Sequence, residues 1–110
     1  MRALWLPYEA ADPSAAAGFW TDHLGLSIVD RFADGVVLGF PSTPSYLELA
    51  RPGTGAPAPV AIELEDRAAV DAAHRAWRPA PPPARTFSRG HYGFDVAAPG
   101  AGRIMVWCER

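Results

Sequence analysis

The strongest constraint on this chain is a helix start that occurs twice. Asp12 stands before Pro13, and Asp66 stands before Arg67, 54 residues further on. An aspartate carboxylate accepts hydrogen bonds from the unpaired N–H groups that open a helix. Proline at the first helical position loses nothing, because its N–H would have no partner there. The first helix runs through "PSAAAGFWTDHL" and stops at Gly25; the second runs through "RAAVDAAHRAW" (67–77) until "PAPPP" ends it. A strand is predicted before each helix and three after it: 2–8, then 26–32, 36–40 and 45–50; 60–65, then 84–88, 91–96 and 103–109. Pro7 suits a strand end or an edge. On the helices, Ala16, Phe19, Trp20 and Leu24 share one face, as do Val70, Ala73, His74 and Trp77; these are the expected core stripes.

The element order is therefore β-α-β-β-β, given twice. Module one takes residues 1–50, a Pro/Gly-rich linker 51–58, and module two 59–110. The fold class is α+β. A chain of 110 residues supports one core and is too short for two independent ones. The two modules are thus halves of a single domain, 1–110.

Charge and composition remove several function classes. The formal net charge is −2 with no basic run, which argues against a nucleic-acid partner. No apolar stretch approaches the roughly 20 residues of a membrane span, and the first residues lack a signal-peptide pattern. Cys108 is the single cysteine, so no internal disulfide is possible, in keeping with a cytoplasmic protein. All ten basic residues are arginine, and Lys, Asn and Gln are absent. Such a bias fits a GC-rich bacterial genome and carries no chemistry. His23, His74 and His91 have no partners at metal-ligand spacing, and no Ser-His-Asp or Cys-His arrangement is legible.

The segment "FWTDHLGL" (19–26), after an alanine-rich helix start, resembles a recurring helix-end motif of the vicinal oxygen chelate superfamily. That superfamily includes glyoxalase I, extradiol dioxygenases and bleomycin-resistance proteins. The closing "GHYGFDVAAPGAGRIMVW" (90–107) resembles the superfamily's usual ending, and the likeness extends over nearly the whole chain. It implies paired βαβββ modules curling into a half-open barrel around a cleft. It also implies a homodimer.

Metal-dependent members place one ligand on the first strand and one on the last strand of each module. The matching positions here are Trp5, Glu48, Pro59 and Met105. A catalytic divalent ion needs about three or four converging N or O donors. Only Glu48 qualifies, and a shift of one residue along any strand supplies no other. Neither metal nor other cofactor is expected.

Side chains alternate across a strand. If Glu48 faces the cleft, so does Tyr46, while Leu47 and Leu49 turn toward the helix. The same register turns Trp5 inward, together with Arg103, Met105 and Trp107. The candidate ligand-binding residues are therefore Trp5, Tyr46, Glu48, Arg103, Met105 and Trp107, with Arg103 as a candidate partner for Glu48. Aromatic faces stack on planar rings and attract cations, and methionine adapts its shape. A carboxylate among such rings favours a cationic or hydrogen-bond-donating partner, so the expected ligand is a bulky aromatic, cationic natural product such as an antibiotic, held without reaction. Four alternatives stand beside this reading, the most distant being a metal-dependent lyase or dioxygenase. The same side chains could fill the barrel as core, or form a dimer seam. Or Glu48 could act as general base, with His91 or Tyr46 as acid, in a cofactor-free proton transfer.

Overall fold

The computed structural model describes residues 1–54, 59–87, 89–98 and 102–109. The second half of the expected linker (55–58) and most of the turn before the last strand (99–101) lie outside the described residues. The elements are β1 (Ala3–Glu9), α1 (Pro13–Leu24), β2 (Ser27–Phe32), β3 (Gly35–Gly39), β4 (Ser45–Ala50), β5 (Val60–Glu63), α2 (Arg67–Ala76), β6 (Arg85–Thr86), β7 (Tyr92–Ala98) and β8 (Gly102–Cys108).

Both helix starts form as their sequences demand. Asp12 Oδ1 accepts from the Ala15 N–H at 3.2 Å, and Asp66 Oδ1 from the Ala69 N–H at 2.8 Å. Gly25 closes α1 with φ 73°, a left-handed backbone that glycine adopts without Cβ strain.

The eight strands make one mixed, unclosed sheet in the order β2-β3-β4-β1-β5-β8-β7-β6. Its two four-stranded halves mirror each other. The first strand of each half pairs in parallel with the last, β1 with β4 and β5 with β8. The halves join where β1 and β5 run antiparallel, through Ala3–Glu63, Leu4–Ile62 and Trp5–Ala61. Pro7 lies beyond that short ladder, so its missing N–H is not needed on the β5 side.

Each helix covers one half of the same sheet face. Under α1, Leu47 and Leu49 pack with Val36, Leu38, Leu26 and Ala17. Under α2, Val70 packs with Phe94, Val96, Val106 and Cys108. Burying a side chain such as Leu49 or Phe94 stabilises the fold by about 1.5–3 kcal/mol. The stripe of α1 differs from the sequence expectation. Pro13 and Ala17 are buried, and Ala16 and Trp20 pack partly against the core, but Phe19 is 58% exposed and Leu24 55%. Small residues let the helix axis approach the sheet closely, and the contact is made by that small-residue strip. Phe19 rotates outward and meets the rings of Trp20 and His23 instead. On α2 the expected face holds: Val70 is buried, and His74 and Trp77 meet the Phe94 ring edge-on at 5.1 and 5.9 Å.

Candidate functional site

With both helices on one face, the opposite face of the curved sheet encloses a cleft of about 510 Å³. Strand alternation supplies its walls. β1 contributes Trp5 and Pro7, β4 Glu48, β5 Ala61, and β8 Met105 and Trp107. Phe32 of β2 and Phe87 and His91, which flank the β6–β7 turn, close the sides. A chain of ring contacts links β4, β1, β8 and the turn before β7, with only the small Ala61 of β5 between Trp5 and Trp107. Tyr46 stacks on Trp5 at 4.6 Å, Trp5 meets Trp107 at 5.8 Å, and Trp107 meets His91 at 4.4 Å.

Among the described residues the buried acids are all partnered. Trp5 Nε1–H donates to Glu63 Oε1 at 2.9 Å, and Arg2 approaches the second oxygen of Glu63 at 3.4 Å. This bond crosses the joint between the halves and fixes the Trp5 ring. Glu48 is 7% exposed and accepts from Arg89 Nη1 at 2.6 Å. Arg89 reaches it from the β6–β7 turn, with its guanidinium 4.9 Å from the Phe32 ring. Asp95, on the inner side of β7, accepts from Arg103 Nε at 2.9 Å and from Arg85 Nη1 at 3.3 Å. Burial pushes the Asp95 carboxyl up, but the hydrogen bonds and charges of Arg103 and Arg85 outweigh it and hold the group below its ordinary value. Trp107 Nε1 is the exception. It is buried and has no acceptor among the described residues.

Of the sequence candidates, Trp5, Glu48, Met105 and Trp107 line the one cleft. Tyr46 lies on the other side of Trp5, in a shallower adjoining depression with Val29, Asp30 and Glu63. Arg103 lines neither. It faces inward as expected but is taken up by Asp95, so Glu48 finds its partner in Arg89 and not in Arg103. Asp95 was within reach of the same alternation: in "HYGFDV" Tyr92, Phe94 and Val96 face α2, leaving His91, Gly93 and Asp95 inside. Arg89 carried no such signal, because a turn residue has no periodicity to aim it at a strand 41 residues away.

The divalent metal that the resembled superfamily implies does not fit this donor set. The parallel pairing puts Pro7 directly beside Glu48 and Ala61 beside Met105, and none of these neighbours offers a ligand atom. Glu48 itself is engaged by a guanidinium. Among the described residues no three His, Cys, Asp or Glu side chains converge to hold an ion.

No protein-family model and no curated protein matches the chain. Solved structures do. A glyoxalase/bleomycin resistance protein/dioxygenase superfamily member from Vibrio splendidus 12B01 superposes with a TM-score of 0.58 at 13% identity, covering 96% of this chain and 97% of that one. The chain has the vicinal oxygen chelate fold. Two further structures share this vicinal oxygen chelate architecture with the chain. Methylmalonyl-CoA epimerase from Mycobacterium tuberculosis has a TM-score of 0.64 at 14% identity, covering 96% and 86%. A Legionella pneumophila structure described as NAD-dependent benzaldehyde dehydrogenase has a TM-score of 0.73 at 14% identity, covering 97% and 99%. At such identities the likeness is one of fold, and no activity passes to this chain with it.

Proposed function

We propose that this vicinal oxygen chelate protein binds a planar aromatic small molecule, an antibiotic or similar natural product, and sequesters it without a metal and without chemical change. The observation that carries the reading is the chain of ring contacts from Tyr46 through Trp5 and Trp107 to His91 on the cleft side of the sheet. Flat rings in a cleft of about 510 Å³ offer stacking area to a ligand of drug-like size. Glu48 would have to lose Arg89 before it could serve as a general base, which favours binding over proton transfer. A homodimer in the cytoplasm is part of the proposal. The exposed Phe19, Leu24, Ile28 and Val29 supply apolar area that a second copy would cover, and Cys108 needs no oxidising compartment.

Tryptophan fluorescence titrated with a panel of planar aromatic antibiotics tests this. Saturable quenching, recovery of unaltered compound by mass spectrometry and no stoichiometric metal in the purified protein are expected. Chemically altered compound would replace this reading with an enzymatic one. Stoichiometric Zn, Fe, Ni or Mn would remove the metal-free claim, and absence of quenching throughout would leave the rings as core.

A further inference from the structure

Hydrogen-bonding capacity in the cleft is unequally satisfied. Among the described residues the three buried carboxylates, Glu48, Glu63 and Asp95, each receive donors from within the chain. The rim carboxylates Asp30 and Glu109 are exposed, and Asp30 Oδ1 accepts from the Arg31 N–H at 2.8 Å. The buried donor Trp107 Nε1–H has no acceptor among the described residues. A buried N–H without an acceptor is a rare and costly feature in a folded protein, and it is removed when an incoming group accepts from it. A cation, by contrast, would have to compete with Arg89 for Glu48.

We infer that the ligand carries an acceptor oxygen, a carbonyl or carboxylate on a planar aromatic ring, and that this oxygen accepts from Trp107 Nε1–H. The inference rests on the binding function proposed above and narrows its ligand class from aromatic in general to acceptor-bearing. Nε1 sits below the cleft surface, so the oxygen enters between Trp107 and a neighbour. His91, 4.4 Å from the Trp107 ring and with no imidazole hydrogen bond among the described residues, is the neighbour that yields. Trp5, on the other side, is held by Glu63.

The test uses a matched set of naphthalenes on the full chain: 2-acetylnaphthalene and 2-naphthoate as acceptors, 2-ethylnaphthalene as the shape control, and 2-naphthylmethylammonium as the cation. Affinities come from fluorescence. The four indole N–H resonances are followed by ¹⁵N–¹H correlation NMR, with Trp107 assigned through Trp107→Phe. One or both acceptors should bind about tenfold more tightly than the ethyl control, move the Trp107 indole proton downfield and slow its exchange with solvent. Which of the two does so separates carbonyl from carboxylate. In Trp107→Phe the acetyl and ethyl compounds should bind alike. If that variant does not fold, the Trp107 resonance is assigned by elimination through Trp5→Phe, Trp20→Phe and Trp77→Phe, and its shift in the natural protein decides. Equal binding of the ethyl or cationic probe with the Trp107 proton unmoved overturns the inference and leaves the binding function standing. If no probe perturbs Trp5, Trp107 or His91, the binding function falls and the inference with it.

Discussion

Replacing Arg89 by alanine strands a carboxylate inside the fold, and the cost follows from the geometry. Glu48 is 7% exposed and its Oε1 receives Arg89 Nη1 at 2.6 Å, while the Arg89 side chain keeps 39% of its surface. Removing one partner of a fully buried pair costs about 3–5 kcal/mol, and an exposed pair is worth about 0–1. A buried acid with a half-exposed base falls between, at about 2 kcal/mol. The contact of the guanidinium with Phe32, at 4.9 Å, adds about 0.5 kcal/mol at such an exposed site. For a domain of 110 residues a combined loss of about 2.5 kcal/mol lowers Tm by about 11 °C. Urea unfolding followed by tryptophan fluorescence measures it, and a double-mutant cycle isolates the pair. Glu48→Gln in the Arg89→Ala background should restore much of the loss, because the neutral amide no longer buries an unpaired charge. Additive costs in the cycle, or a change below about 0.5 kcal/mol for Arg89→Ala, would refute the reasoning and mean that water already serves Glu48.

Two further outcomes are expected. The Asp95 carboxyl is held below its ordinary value, so its contribution to stability is complete above about pH 4 and is lost as pH falls through the depressed folded value; urea midpoints from neutral to strongly acid pH should fall less steeply for Asp95→Asn than for the natural chain, and coincident slopes would deny Asp95 that role. A Cβ at Gly93 would lie 2.1 Å from the Val106 carbonyl oxygen and 2.8 Å from Trp107 Cα, both of them backbone, so Gly93→Ala should shift β7 against β8 and cost at least about 2 kcal/mol by the same unfolding assay.

The residues that could be read from sequence were those whose partners are local or periodic. Asp12, Asp66 and Gly25 act within one turn of themselves, and each stands where its chemistry predicts. Leu47 and Leu49 against Tyr46 and Glu48 follow from the two-residue strand period. Phe19 did not follow, because in "AAAGFW" two adjoining faces are equally able to pack, and only the sheet chooses between them. Of the strand expected over 84–88, whose last residue lies outside the described residues, only Arg85–Thr86 forms β6, too short for any period to define. The ion pairs were the least legible part. Arg103 and Arg89 are the same residue type in similar surroundings, and which one meets Glu48 depends on where a turn folds back.

The ladder joining the halves is only three residue pairs long, Ala3–Glu63 to Trp5–Ala61. Trp5, which gives the cleft its central ring, also ties the halves together there through Glu63. If the proposed ligand stacks there, a single side chain is both recognition surface and fastener. A change at Trp5 that widened the range of acceptable ligands would also slacken the joint that sets the width of the cleft. On the proposed binding function, ligand preference would drift only at the outer walls, near Phe32 and Phe87, and would be anchored at the centre by the need to stay in one piece.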